Sequence, residues 1–214
     1  MNNYKYYIFD FDGTLVDSMP YFSLSIISVL EKNGVNYPSD IIEKITPLGN
    51  IGAAQYFIEH FGIRLSVEEI VEQIVEVVYP YYRDTVQLKN GALEFVSGIK
   101  EKGGSLNILT ASPHKTVDAC LKRIGILDLF DNVWSCEDFG TTKSDPGIYI
   151  AAVEHLGGTI EETVFFDDNI GAVTTAKEAG LFTVGVYDKS GEDFKGELQK
   201  KCDKFIYSYD SFHI

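Results

Sequence analysis

Two carboxylates two positions apart, in Asp10-Phe11-Asp12-Gly13-Thr14-Leu15, are the residues of this chain best suited to chemistry. They follow Tyr4-Lys5-Tyr6-Tyr7-Ile8-Phe9, an aromatic and β-branched run that reads as a buried strand. A carboxylate ending such a strand projects from the carboxyl edge of a parallel sheet, where open α/β folds keep their ligands. There an Asp can attack phosphorus as a covalent nucleophile. A neighbouring acid can protonate the leaving oxygen and later deprotonate water. Gly13 lets the backbone turn tightly behind the pair. Alone, Asp-x-Asp-Gly is an ordinary polar turn at a strand end. Three further elements downstream set it apart.

Thr110 ends another apolar strand, so it falls on the same sheet edge as Asp10. Its hydroxyl, the backbone N–H groups of Ala111 and Ser112 and a helix start at Pro113 offer a place for phosphate. By itself this is a plain strand-to-helix turn with Ser112 as the cap. His114, one residue on, either touches the leaving group or sits on the surface. With Gly13 these residues make up the candidate phosphate-binding set. Lys143, in Thr141-Thr142-Lys143-Ser144-Asp145-Pro146, brings one ammonium that offsets the charge of phosphate and nucleophile. Asp167-Asp168 directly follows Val164-Phe165-Phe166. Two adjacent carboxylates at a strand end repel each other unless a cation holds them, and Mg²⁺ takes such oxygen ligands. Their plainer use is as a helix N-cap pair.

These residues need a scaffold that brings four strand ends together. From Leu88 onward helix and strand alternate. A helix over 92–102 stops at Gly103-Gly104, and a strand follows over 105–110. Ser112-Pro113 opens a helix that Gly125 closes, and a brief strand lies around Val133. Asp145-Pro146 starts a helix stopped by Gly157-Gly158, before a strand over 163–166 and a helix ending at Gly180. Strands over 182–187 and 204–207 complete the series. Such alternation implies a doubly wound parallel sheet, a Rossmann-like α/β core. Residues 20–84 contain only helical patterns. Ser18 caps a helix that has Pro20 in its first turn and runs to Gly34, and a shorter helix spans 51–60. Ser66-Val67-Glu68-Glu69 is a capping box for a helix with Ile70, Ile74, Val77, Val78 and Tyr81 on one face.

The composition narrows the classes. The chain has 214 residues, 45% of them hydrophobic and 13% aromatic, enough for a sizeable core. A net charge of −14 argues against nucleic acid or an anionic membrane as partner. A phosphorylated substrate must therefore meet a local reversal of the field, from a cation and basic groups at the site. No basic stretch precedes an apolar one at the N-terminus, and the apolar runs are too short to span a bilayer. Cys120, Cys136 and Cys202 have no metal-ligand spacing and fit a reducing compartment, so a cytoplasmic location is expected.

Taken together, Asp10-Phe-Asp-Gly-Thr, Thr110, Lys143 and Asp167-Asp168 resemble the four motifs of the haloacid dehalogenase-like superfamily, in order and over nearly the whole chain. The helical insertion resembles the cap of the subgroup that contains phosphoglycolate phosphatase and β-phosphoglucomutase. The resemblance implies a core of residues 1–16 and 86–214 and a helical cap of 17–85. It implies Asp10 as nucleophile and Mg²⁺ ligand, and Asp12 as acid/base that also lends its carbonyl to the metal. Thr110 and Lys143 would hold the phosphoryl oxygens, and Asp168 with Asp167 would anchor Mg²⁺. Two positions depart from the pattern. Ser144 stands where the family has Pro, and Ala172 where many members have a second Asp, which leaves Asp167 to supply that group. The implied reaction is Mg²⁺-dependent hydrolysis of a small phosphorylated metabolite through an aspartyl phosphate, by a monomer or homodimer. A phosphosugar mutase uses the same core, but Phe22 stands where β-phosphoglucomutase has a hinge histidine. A receiver domain has the acidic pair first and the phosphorylated Asp later, the reverse of this order. A silent phosphate-binding protein leaves Asp12 without a use.

Overall fold

A computed structural model of the protein describes residues 4–45 and 48–211. Six parallel strands form one sheet: β1 (Tyr6–Phe9), β2 (Ser105–Thr110), β3 (Asn132–Ser135), β4 (Thr163–Asp167), β5 (Phe182–Val186) and β6 (Lys204–Ile206), in the order β3-β2-β1-β4-β5-β6. β1 lies between β2 and β4, with Phe9 level with Ile108 on one side and Phe166 on the other. The order reverses at β1, which makes its carboxyl end the natural crevice of the fold.

The period-two alternation along each strand shows why both faces are covered. Tyr7, Phe9, Leu106, Ile108, Val164 and Phe166 face one way, onto α5 (Ala92–Glu101) and α6 (His114–Ile124). Ile8, Leu109 and Phe165 face the other way, onto α8 (Pro146–His155) and α9 (Ile170–Glu178). Strands apolar on both faces belong inside a parallel sheet. Phe9 stacks on Phe166 with ring centroids 4.5 Å apart, beneath the strand end that carries Asp10. Such a pair adds about 1 kcal/mol beyond its buried area. Two short helices, α2 (Ile41–Ile45) and α7 (Cys136–Phe139), go unannounced in the sequence. α10 (Lys195–Lys201) leads into β6.

Between β1 and β2 lie α1 (Met19–Lys32), α2, α3 (Gly49–Phe61) and α4 (Val67–Asp84). Ile26, Leu30, Ile41, Phe57, Ile70 and Ile74 build a hydrophobic cluster of their own there. Ser66 and Glu69 form the expected capping box at the start of α4. The buried stripe of α4 runs through Ile70, Ile74, Val78 and Tyr82, with Val75 beside it; Val77 and Tyr81 are only half-buried. A strict four-residue step from Ile70 lands on Tyr82, and with it α4 leaves the helical cluster and enters the sheet's. Val78 and Tyr82 pack with Phe9 and Phe11.

Two chain segments join the helices to the sheet and pair with each other. Asp17 N–H donates to the Gln87 carbonyl at 2.9 Å, and Lys89 N–H to the Leu15 carbonyl at 2.9 Å. All three cysteines are buried and unpaired. No helix among the described residues is long and apolar enough to cross a membrane.

Candidate active site

Because every strand pair is parallel, the ends of β1, β2 and β4 meet at one edge, and with them Asp10, Thr110 and Asp167. Asp167 is the last residue of β4 rather than the first beyond it, and only 1% of it is exposed. Lys143 enters from the loop between α7 and α8. Its ammonium contacts a carboxylate oxygen of Asp10 and lies 2.8 Å from Oδ2 of Asp167. The loop is pinned by the buried Tyr149, whose hydroxyl lies 2.9 Å from the Lys143 carbonyl and 3.1 Å from that of Ala172.

Asp168 completes the acidic group. Carboxylate oxygens of Asp10, Asp167 and Asp168 all lie within 4.8 Å of one another. The Thr14 hydroxyl donates to Oδ1 of Asp168 at 3.2 Å and accepts from its backbone N–H at 3.0 Å, linking the first motif to the last. Gly13 has φ +75°, and a Cβ there would overlap the Asp168 carboxylate. The acidic pair is not a helix cap. That work falls to Asn169, whose side chain accepts from the N–H groups of Gly171 and Ala172 at the start of α9.

Charge in this crowd is costly. Burial pushes the Asp10 carboxyl up to about 7, against the pull of Lys143. Burial, and after it the charges of Asp167 and Asp10, hold Asp168 well above the usual carboxylate range. Burial works against the Lys143 charge as well, yet Asp10 and Asp167 keep it firmly protonated. Lys143 pairs with Asp10 and Asp167, Asp168 is eased by Lys89, and with all three carboxylates ionised the group would carry an excess negative charge. A hard divalent cation with oxygen ligands fits that donor set and that deficit.

Asp12 lies apart from this cluster and has other company. Oδ1 accepts from the Ser18 hydroxyl at 2.7 Å and from the Tyr82 hydroxyl, and Oδ2 accepts from the Ser112 hydroxyl at 2.6 Å. This corrects the expected use of Ser18. Its backbone is helical (φ −101°, ψ −16°) and its side chain caps nothing in α1, because the hydroxyl is turned to Asp12. Likewise Ser112 is not the cap of α6, which begins after Pro113.

Thr110 ends β2 as expected, but the Ser112 N–H expected to meet phosphate is already engaged. The Thr110 hydroxyl accepts from the Ser112 N–H at 3.0 Å, which ties the turn that carries Ala111. His114 is half-exposed and points elsewhere, with Nε2 at 2.8 Å from Asp138 and Nδ1 at 3.8 Å from Asp118. Of the cations in the helical segment, Lys44 pairs with Asp40 at 2.9 Å and Arg83 forks onto Asp84 at 2.9 and 2.6 Å. The His60 ring packs on Tyr56. The segment Thr46-Pro47-Leu48-Gly49-Asn50, whose residues suit either a loop meeting the site or an ordinary interhelical turn, begins outside the described residues, since 46 and 47 are not among them.

The sequence reading missed Ser18, Tyr82 and Tyr149. Tyr82 was traceable, through the four-residue step along α4. Ser18 and Tyr149 carry no such mark, because a serine before a helix and a tyrosine inside one look like a cap and core packing.

Known proteins resemble this chain in sequence and in fold. Pyrophosphatase PpaX of Halalkalibacterium halodurans is 30% identical over 193 residues, covering 87% of this chain and 86% of that protein. The phosphorylated carbohydrates phosphatase of Thermotoga maritima is 26% identical over 174 residues, covering 81% of each. The crystal structure of CbbY from Rhodobacter sphaeroides in complex with phosphate shares the fold, with a TM-score of 0.83 at 21% identity, covering 97% of this chain and 96% of that one. The family model described as haloacid dehalogenase-like hydrolase matches residues 7–186, from β1 through β5, and the chain belongs to that family of enzymes.

Proposed function

We propose that this hydrolase cleaves a small phosphate monoester through an aspartyl phosphate, with Asp10 as nucleophile and Asp12 as acid and then base. The observation that carries the reading is the separation of two carboxylate environments at one strand end. Asp10 sits against Lys143 in the acidic cluster, while Asp12 is held by three hydroxyls. Different surroundings for neighbouring carboxylates are how one site runs nucleophilic and acid/base chemistry together.

Asp10 attacks phosphorus in line as the bond to the ester oxygen breaks, and Asp12 delivers a proton to that oxygen. Asp12, now ionised, takes a proton from water as the water attacks the aspartyl phosphate, releasing phosphate and restoring Asp10. Lys143 and the turn at Thr110–Ser112 bind the phosphoryl oxygens and hold them in place. Asp10, Asp167 and Asp168, with the Asp12 carbonyl, would hold Mg²⁺, which supplies charge neutralisation for phosphoryl transfer. Residues 17–85 act as a cap over a core of 1–16 and 86–214. Closure about the paired segments at Asp17 and Gln87 excludes bulk water. A small phosphorylated metabolite such as a sugar or polyol phosphate is the substrate class. Phosphorylated carbohydrates are what the Thermotoga relative's name specifies, and the ion pairs of Lys44 and Arg83 leave those two cations engaged.

Phosphate release from a panel of monoesters, with Mg²⁺ or EDTA, tests the reading. Asp10→Asn is expected to abolish release and phosphoenzyme, and Asp12→Asn to slow turnover by about 10²-fold or more with ester binding kept. Full activity in Asp10→Asn would sink the mechanism. Conversion of β-glucose 1-phosphate without phosphate release would mean a mutase.

A further inference from the structure

Among the described residues, every hydrogen-bond partner of the Asp12 carboxylate is a hydroxyl: Ser18, Ser112 and Tyr82. An acid/base group must hold a proton in one half of a reaction and lack it in the other. A backbone N–H or an ammonium can only donate, so it would favour the ionised form in both halves. A hydroxyl can turn and accept. The three differ in how firmly they are placed. Ser18 sits in one of the two connecting segments and Ser112 in the loop after β2, both on short rotatable side chains. Tyr82 is buried, as both serines are, but its ring also lies against Phe11 and its backbone is anchored from the neighbouring helix α6. Arg123, on α6, donates from Nε to the Tyr82 carbonyl at 3.3 Å and from its terminal nitrogen to the Val86 carbonyl. Tyr82 is thus the fixed point on which Asp12 is aimed. It stands near the end of α4, whose earlier turns belong to the helical cluster.

We propose that Tyr82 is a positioning residue for Asp12, aiming its carboxyl at the leaving oxygen and linking that aim to the helical segment through α4. The proposal rests on the reading of Asp12 as the acid. A proton delivered to the leaving oxygen matters most when that oxygen is a poor leaving group. Loss of aim must therefore steepen the dependence of rate on the leaving group, whereas general damage to the fold lowers all rates alike.

The test is kcat/KM, with Mg²⁺, over a series of substituted phenyl phosphates from 4-nitrophenyl to phenyl phosphate. The wild type is compared with Asp12→Asn, Tyr82→Phe and Arg123→Gln, each checked for folding by thermal melting. Asp12→Asn is expected to give the steepest dependence. Tyr82→Phe is expected to lose about tenfold more on phenyl phosphate than on 4-nitrophenyl phosphate, and Arg123→Gln to shift in the same direction by less. Equal losses across the series in Tyr82→Phe, beside a steep Asp12→Asn, would overturn the proposal and leave the role of Asp12 standing. A wild-type dependence in Asp12→Asn would overturn that role and the proposal with it. Should Tyr82→Phe not fold, Arg123→Gln decides: an unchanged dependence there rejects the proposal.

Discussion

Lys143 stands between Asp10 and Asp167 with 12% of its side chain exposed, so each partner depends on it for the charge it carries. Removing one member of a buried ion pair leaves the other without compensation, at a cost of about 3 kcal/mol or more. Lys143→Met is therefore expected to lower the stability of the EDTA-treated protein by about that amount, and added Mg²⁺ to recover part of the loss. Denaturant melts with and without the metal measure both, and an unchanged midpoint in EDTA would contradict this account. Asp10, Lys143, Asp167 and Asp168 were legible in the sequence for one physical reason. Each is a charge at the end of an apolar strand or beside a helix start, where packing gives it no use. Ser18 and Tyr149 were not, and of Tyr82 only the burial was, because a hydroxyl's partner is decided by tertiary contacts that no local pattern encodes. His114 shows the converse: its place beside the loop was legible, but not the pull of Asp138 on its ring.

At the scale of elements, sheet and helices were legible through period and punctuation. β4 shows where that limit falls, since its last position is a charged residue that no strand pattern would include. α7 is only four residues long, too short for any periodicity to register. The joint between β5 and β6 rests on a carboxylate as well. Asp203 accepts from the Thr183 N–H and hydroxyl, both at 2.9 Å, and from Lys177 at 2.6 Å. Burial works to raise its pKa, but the bonds from Lys177 and Thr183 outweigh it and hold the carboxyl below its ordinary value. A carboxyl depressed in the folded state stabilises it at neutral pH, and that contribution fades as pH falls below the unfolded value, about 4, toward the lower folded one. Asp203→Asn is expected to cost about 1–2 kcal/mol at pH 7. The gap between variant and wild type should close as the pH drops below about 4. Urea melts across that range check it, and a gap that widens toward acid would reverse the sign.

For the molecule as a whole, the proposed function makes the acidic site a defect in stability that a bound cation would relieve. A chain with net charge −14 gathers three carboxylates at the centre of its sheet edge, two of them paired with Lys143. Mg²⁺ at about a hundred times its dissociation constant is expected to add about 2.7 kcal/mol of stability, by binding only the folded state. NaCl at equal ionic strength should not reproduce the gain, and Asp168→Asn should lose most of it. Differential scanning calorimetry separates the cases, and equal shifts from both salts would mean screening rather than a site. The central place of β1 in the sheet bears on the order of synthesis. This strand leaves the ribosome ahead of both its neighbours, which arrive only with residues 105–110 and 163–167. Until β4 is made, one edge of β1 has no partner and Asp10 lacks the acidic pair, and before residue 143 it lacks Lys143 as well. A nascent chain halted near residue 140 thus presents an open, apolar sheet edge, the form most prone to stick to its own kind. Ribosome-stalled chains of increasing length should stay in need of a chaperone until β4 has emerged, and lose that need once it has.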